Sequence, residues 1–287
     1  TGWVVQTLKN FRQTGAYTSL ALDRDDKLQV IYRDLETGVV RLGRKQGILW
    51  STELVDATIG LPAPTSLALD ATGTAHLVYA TYANEGDVGQ LRYAVRTADG
   101  WQNRALDSDI GGPTAFGVIS PAIAVGADGA VRVAYSDPAQ HMVRVLDVRD
   151  SATNVVREIS LGDAPGPDVS LVLAGSASER DYLAYQDRAA GLILAGPDSA
   201  GVWQTRLVDA GPQVGRRNDL ALDASGGLHV CYEAVTAQGV DLRYRNDAAN
   251  EVLVVASVAS EADDLSFDCS IAAAADGNVR ISYYDPA

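Results

Sequence analysis

The sequence predicts an all-β chain folded as a six-bladed β-propeller of four-stranded antiparallel blades, and three observations carry that prediction. A motif typified by Thr65-Ser-Leu-Ala-Leu-Asp-Ala-Thr-Gly-Thr-Ala-His-Leu-Val-Tyr79 recurs six times. Its copies start at Thr18, Thr65, Pro121, Val169, Asn218 and Cys269, at intervals of about 47 to 56 residues, and a period of this size marks stacked or radial repeats. Each copy holds two short apolar runs around a small polar turn, as in Ser66–Leu69 and His76–Tyr79, which is the pattern of a hairpin. Two further runs follow each hairpin, giving four strands per repeat.

Within a repeat, the first strand alternates small and large side chains, as in Ser66-Leu67-Ala68-Leu69. That suits a sheet covered on both faces, with room on one face only for Ser or Ala. The turns Ala127-Asp128-Gly129, Ala224-Ser225-Gly226 and Ala275-Asp276-Gly277 put glycine where a type I turn plus bulge needs positive φ. Third strands read Leu91-Arg-Tyr-Ala94, Val143-Arg-Val-Leu146 and Leu242-Arg-Tyr-Arg245; Trp50, Trp101 and Trp203 open fourth strands. The expected blades, in one domain over 1–287, are 18–56, 65–107, 121–162, 169–209, 218–259, and 269–287 with 1–9. Gly2-Trp3-Val4-Val5-Gln6-Thr7-Leu8 has the fourth-strand pattern with no strands before it, so it is expected to pair with the C-terminal hairpin and close the ring, removing sheet edges. That last blade lacks an identifiable third strand. Repeats three and six, two and five, and one and four are most alike in pairs, which suggests a duplicated three-blade unit with pseudo-twofold symmetry.

Apolar residues make up 47% of the 287, enough for a sizeable core, and no apolar run is long enough to span a bilayer. The net charge of −14, with 37 acidic against 23 basic residues, repels nucleic acid and argues against such a partner. Cys231 and Cys269 lie in adjacent repeats; they are either bridged or two buried thiols, since strand neighbours can diverge at Cβ. A chain starting in mid-pattern at Thr1 is consistent with a removed leader.

The repeat pattern, Ser-Leu-Ala-Leu-Asp, a turn glycine, Tyr-x-Asp, Leu-Arg-Tyr-Ala and Trp, clearest over 65–106 and 218–245, resembles secreted bacterial β-propeller repeat proteins. It is also distantly similar to sialidase propellers. Their Ser-x-Asp-x-Gly-x-x-Trp box is missing from this sequence, so no sialidase catalytic residue is transferred. The resemblance implies the fold and a secreted, periplasmic or cell-surface location, and names no activity.

A tyrosine closes the second strand of every repeat, and in four of them an aspartate follows two residues later: Asp34, Asp137, Asp187 and Asp285. Period two puts each Tyr and its Asp on one face. One reading is a ring of oxygen ligands for Ca²⁺ at the channel mouth. The other is a tyrosine packing between blades and an aspartate capping its loop. Repeats two and five have Thr81 and Ala234 instead, and a longer path to the third strand, Ala80–Gln90 and Glu233–Asp241. These segments and the loops 107–120 and 209–217 nominate Tyr82, Glu85, Asp87, Arg216, Arg217 and Glu233 as ligand-binding residues, and the strand-two-to-three loop of repeat three adds His141. His76 and His229 fall at matching strand positions and read as packing; no catalytic triad, nucleophile elbow or phosphate loop is present. The favoured function is a secreted, non-enzymatic module binding a protein or glycan at the channel mouth. Its alternatives are a Ca²⁺-dependent hydrolase or lactonase with metal in the channel, and an assembly module that completes its last blade with a partner strand.

Overall fold

The structure is a computed structural model, and it describes residues 8, 14–58, 60–61, 63–83, 88–111, 119–149, 153–161, 165–174, 180–259, 267–274 and 276–285. Among them are five four-stranded antiparallel sheets: β1 (Thr14–Leu22), β2 (Leu28–Asp34), β3 (Val40–Gln46), β4 (Leu49–Asp56); β5 (Thr65–Leu69), β6 (Ala75–Thr81), β7 (Gln90–Thr97), β8 (Gly100–Asp107); β9 (Ala122–Val125), β10 (Val131–Asp137), β11 (Met142–Val148), β12 (Thr153–Ser160); β13 (Pro165–Leu173), β14 (Asp181–Asp187), β15 (Gly191–Pro197), β16 (Trp203–Ala210); and β17 (Val214–Leu222), β18 (Leu228–Thr236), β19 (Gly239–Asn246), β20 (Glu251–Val258). The sixth repeat gives a two-stranded sheet, β21 (Cys269–Ala273) with β22 (Val279–Tyr283). Among the described residues five of the six expected blades are therefore four-stranded and the sixth is a two-stranded hairpin; the strand expected over Gly2–Leu8 lies outside the described residues except for Leu8. The chain divides into two compact units, 1–125 and 126–287.

The second strands are the most buried: every residue of β6 and β10 is inside. This follows from sheets covered on both faces, which need near-continuous apolar strands. Tyr32, Tyr79, Tyr135, Tyr185 and Tyr232 are all at most 2% exposed, as expected of rings packed between sheets. Tyr283, in the two-stranded sheet, is 41% exposed. In the N-terminal unit Ile31, Leu42 and Val55 of the first sheet pack with Leu67, Leu77 and Tyr79 of the second. In the C-terminal unit Leu192 and Leu194 pack with Leu220, Val230 and Tyr232.

In repeats one, two and five the hairpin turn is fixed by the aspartate that follows the first strand: Asp23, Asp70 and Asp223. Asp70 Oδ1 accepts the N–H groups of Thr72 and Thr74 at 2.8 Å, and Asp223 Oδ1 those of Ser225 and Gly227 at 2.8 Å. Gly73 and Gly226 take φ of 83° and 87°, the left-handed step that closes such a turn. Burial pushes the Asp70 carboxyl up, but hydrogen bonds from Thr72 and Thr74 outweigh it and hold the group at about 2.

The residue after the second-strand tyrosine reaches the neighbouring repeat. Arg33 Nη2 donates to the Ala80 carbonyl at 2.6 Å, Ser136 Oγ to that of Pro167 at 3.1 Å, and Gln186 Nε2 to that of Pro212 at 3.5 Å. Glu233 at the same place accepts the Phe267 N–H at 3.0 Å. A second set of links joins the first strands of successive repeats: Ser19 and Ser66 accept the N–H groups of Leu67 and Ile123, and Asp219 accepts that of Ile271. Cys231 and Cys269 form a disulfide that ties β18 to β21.

Candidate functional site

Three of the four nominated aspartates, Asp34, Asp137 and Asp187, end a strand and cap the turn that follows. Asp34 Oδ1 accepts the N–H groups of Glu36 and Thr37 at 3.2 Å, Asp137 Oδ1 that of Gln140 at 3.1 Å, and Asp187 Oδ1 those of Ala189 and Ala190 at 2.9 and 3.0 Å. Asp137 Oδ2 also meets Arg144 Nη1 at 2.9 Å, and Asp285 is exposed. Among the described residues no group of three or more His, Cys, Asp or Glu could hold a metal ion. The hydrogen bonds of Asp34, Asp137 and Asp187 fit the loop-capping reading, each with one oxygen committed to backbone.

Repeats two and five do have a carboxylate beside the tyrosine, supplied from the preceding fourth strand. Tyr79 donates its hydroxyl hydrogen to Asp56 Oδ2, which also meets Arg92 Nε at 3.1 Å. Tyr232 donates to Asp209 Oδ2 at 2.7 Å, with Arg243 Nη1 at 3.0 Å. Burial first, then the carboxylate, pushes both phenols well above their usual range. Asp209→Ala is expected to cost about 1–3 kcal/mol by stranding the Tyr232 hydroxyl, and Asp209→Asn, which still accepts that hydrogen, less. Thermal unfolding reads both, and an alanine variant as stable as the parent would show that this network contributes nothing.

The longer segment of repeat five is largely strand, which corrects its expectation as a loop, while that of repeat two lies partly outside the described residues. Ala234, Val235 and Thr236 pair with Asp241, Val240 and Gly239, while Val214 and Arg216 pair with Ala234 and Glu233. Period-two pairing continued because Val235 and Val240 are good strand formers and Gly239, at φ 137°, closes the turn. Tyr82 is not a surface residue: it is 1% exposed, a Cβ on Gly89 would stand 2.3 Å from its Cε1, and its hydroxyl accepts the Ile119 N–H at 3.5 Å. Glu85 and Asp87 lie outside the described residues. His141 is exposed in a tight turn at φ 52°.

Three nominated residues do come together, in the C-terminal unit. Arg216 Nε lies 3.2 Å from Glu233 Oε1, and Arg217 Nε 3.9 Å from Oε2. Arg217 Nη1 reaches Asp268 Oδ1 at 2.6 Å, and its N–H donates to Asp168 Oδ2 at 2.9 Å. Glu233 is fully buried, and burial raises its carboxyl above the usual range although Arg216, the Phe267 N–H and Arg217 oppose this. The cluster links β13, β17 and β18 with the segment that leads into β21, and so ties three successive repeats together.

Sequence reasoning missed a cleft at the other ends of the strands in this unit. It has a volume of about 440 Å³ and lies between the fourth and fifth sheets. Tyr182, Leu194, Pro197 and Leu228 give it an apolar wall; Gln204, Arg206 and Asp247 give it a polar one. Tyr182 rests on Gly196, where a Cβ would stand 2.3 Å from its Cδ1, so only glycine lets the ring lie there. Arg206, about half exposed, pairs through Nη2 with Asp247 Oδ2. Behind the floor, His229 Nε2 lies 3.0 Å from Asp223 Oδ2 and Nδ1 2.8 Å from the Tyr244 hydroxyl, which holds the turn carrying Gly226 and Gly227. His76 makes the like contact with Tyr93 at 2.6 Å, so both histidines serve packing. The signal that could have found the cleft is the tyrosine at 182, where the matching positions hold Gln29, His76, Arg132, His229 and Arg280.

A chain of antiparallel four-stranded sheets has counterparts among solved structures. SapL1 lectin, in complex with α-methyl fucoside, matches with a TM-score of 0.59 at 15% identity, over 94% of this chain and 89% of that one. This is a β-propeller. The fucose-specific lectin from Aleuria aurantia matches with a TM-score of 0.60 at 13% identity, over 95% and 88%. The NanB sialidase from Streptococcus pneumoniae matches with a TM-score of 0.61 at 8% identity, over 98% of this chain and 68% of that one. At these identities the likeness is one of fold. No family model and no curated protein sequence matches the chain.

Proposed function

We propose that the chain is a non-enzymatic glycan-binding module, and that the cleft between its fourth and fifth sheets takes one pyranose unit. The observation that carries this is the pairing of an apolar wall with a charged rim in a space of about 440 Å³. A sugar has an apolar C–H face and a hydroxyl edge. Tyr182, Leu194 and Leu228 suit the first, while Arg206 donates to, and Asp247 and Gln204 accept from, the second. The fucose-binding lectins among the fold's counterparts support the class of ligand. They make α-methyl fucoside the first probe. The disulfide suits an oxidising compartment, in keeping with a secreted or cell-surface protein.

Titration calorimetry against α-methyl fucoside and a panel of neutral and acidic monosaccharides tests the reading. Arg206→Ala should weaken binding at least about tenfold, roughly 1.4 kcal/mol, with little change in melting temperature because the side chain is half exposed. No heat from any sugar at millimolar concentration would overturn it. The proposal includes a six-bladed ring with pseudo-twofold halves, in which Gly2–Leu8 completes the last blade; Leu8 lies against Gly43 of β3, where a Cβ would stand 2.6 Å from its Cδ1. A variant lacking residues 1–8 with an unchanged melting temperature would remove ring closure from the reading.

A further inference from the structure

The geometry points to the outer strand β20 as a contact between two copies of this chain, a weak twofold dimer formed by apolar side chains. β20 is the last strand of its sheet, and four consecutive aliphatic residues on it are exposed: Val252 at 37%, Leu253 at 47%, Val254 at 57% and Val255 at 41%. Among the described residues no other outer strand has such a run. The residue that pairs with Leu42, Tyr93, Val145 and Leu194 on the third strands is Glu53, Arg104, Arg157 and Arg206 respectively; opposite Tyr244 it is Leu253. Charge on an edge strand prevents edge-to-edge association. The fifth sheet alone has lost that charge, and it has gained valines on either side.

The occupant follows from charge and shape. At a net charge of −14 most surfaces of this protein repel a second copy, but β20 carries no charge between Val252 and Val258. A twofold axis through Val254 sets aliphatic against aliphatic from Val252 to Ala256. It also holds the two copies of Glu251 roughly 20 Å apart at about 3.4 Å per residue, about two Debye lengths at physiological salt. Copies thus meet here without opposing charges, and an isologous contact needs only one self-complementary patch. Val255 is the bulged residue where the register slips between Leu242 and Arg243. That break interrupts a continuous hydrogen-bonded edge, so the contact is by side chains and not by strand addition. The four residues offer on the order of 300 Å² per copy, the size of an ordinary surface patch and well under the ~800 Å² per partner of a stable complex, which sets the dimer in the micromolar range or weaker.

The test is sedimentation equilibrium from about 1 to 300 µM, a range that brackets such a constant, on the full chain. The weight-average mass should rise from 30.2 kDa towards twice that value. Leu253→Arg, which restores the charge of the other outer strands, should hold the mass at one chain with an unchanged circular dichroism spectrum. A second variant needs no loss of association. Both native cysteines are in the disulfide, so Val254→Cys carries a single thiol that should give a covalent dimer on mild oxidation. Arg104→Cys, on another outer strand, should not. A single-chain mass at every concentration overturns the inference. So do a dimer that survives Leu253→Arg, equal crosslinking of both thiol variants, and association only with a different protein.

Discussion

Replacing Glu233 by alanine should destabilise the C-terminal unit by about 3 kcal/mol, the scale for stranding buried hydrogen-bonding and charged partners. The side chain is 0% exposed and joins two repeats: it accepts the Phe267 N–H from the sixth and faces Arg216 and Arg217 in the fifth. Alanine leaves that buried N–H without an acceptor and Arg216 without its counterion. Glutamine keeps an acceptor for Phe267 and should cost clearly less. The pH dependence separates charge from hydrogen bonding. Burial raises the Glu233 carboxyl in the folded state, with Arg216 the largest opposing effect. The stability it contributes is therefore present below the unfolded value of about 4.3 and lost as pH rises through the folded value. Glu233→Gln cannot ionise, so its deficit relative to the parent should shrink from acid to neutral pH. Melting curves at pH 4 and 7 check this; a deficit that grows towards neutrality would mean that the ion pairs, not the buried acceptor, make this residue stabilising.

Breaking the disulfide should cost about 4 kcal/mol, the chain-entropy value for a loop of this size. The bridge closes 38 residues and is the covalent link between β18 and the β21–β22 hairpin. That hairpin has the fewest means of holding itself: its burial rests on Phe267, Ile271 and partly exposed neighbours, and Tyr283 is 41% exposed. In a unit of this size the loss corresponds to a fall of very roughly 10 °C in melting temperature. Thermal unfolding with and without a reductant, and of Cys231→Ser/Cys269→Ser, reads it. Hydrogen exchange places it: amides of β21 and β22 should speed up well before those of β10 or β14. Uniform acceleration across the unit, or a fall of only a degree, would show that the hairpin is held by its apolar contacts.

The sequence alone determined the repeat, the strand count of the first five sheets, the hairpin turns and the burial of the second-strand tyrosines in those five sheets. Each depends on local pattern: period two along a strand, an aspartate that caps its own turn, a glycine at positive φ, and an apolar run flanked by polar residues. The same logic read Asp34, Asp137 and Asp187 as caps or ligands, and backbone N–H groups three residues away or fewer took one oxygen of each. What lay beyond local pattern had to come from tertiary structure. Nothing in Ala234 shows that Asp209, 23 residues before Tyr232, supplies the missing carboxylate. Nothing in Glu233 shows that its partners are Arg216 and a distant amide, or in Cys231 that Cβ geometry favours Cys269. The cleft shares this origin, since Tyr182, Arg206, Leu228 and Asp247 come from four strands and turns whose meeting depends on how two sheets pack. A strand's pattern dictates which side chains leave the water, and only packing between sheets decides which of those side chains meet.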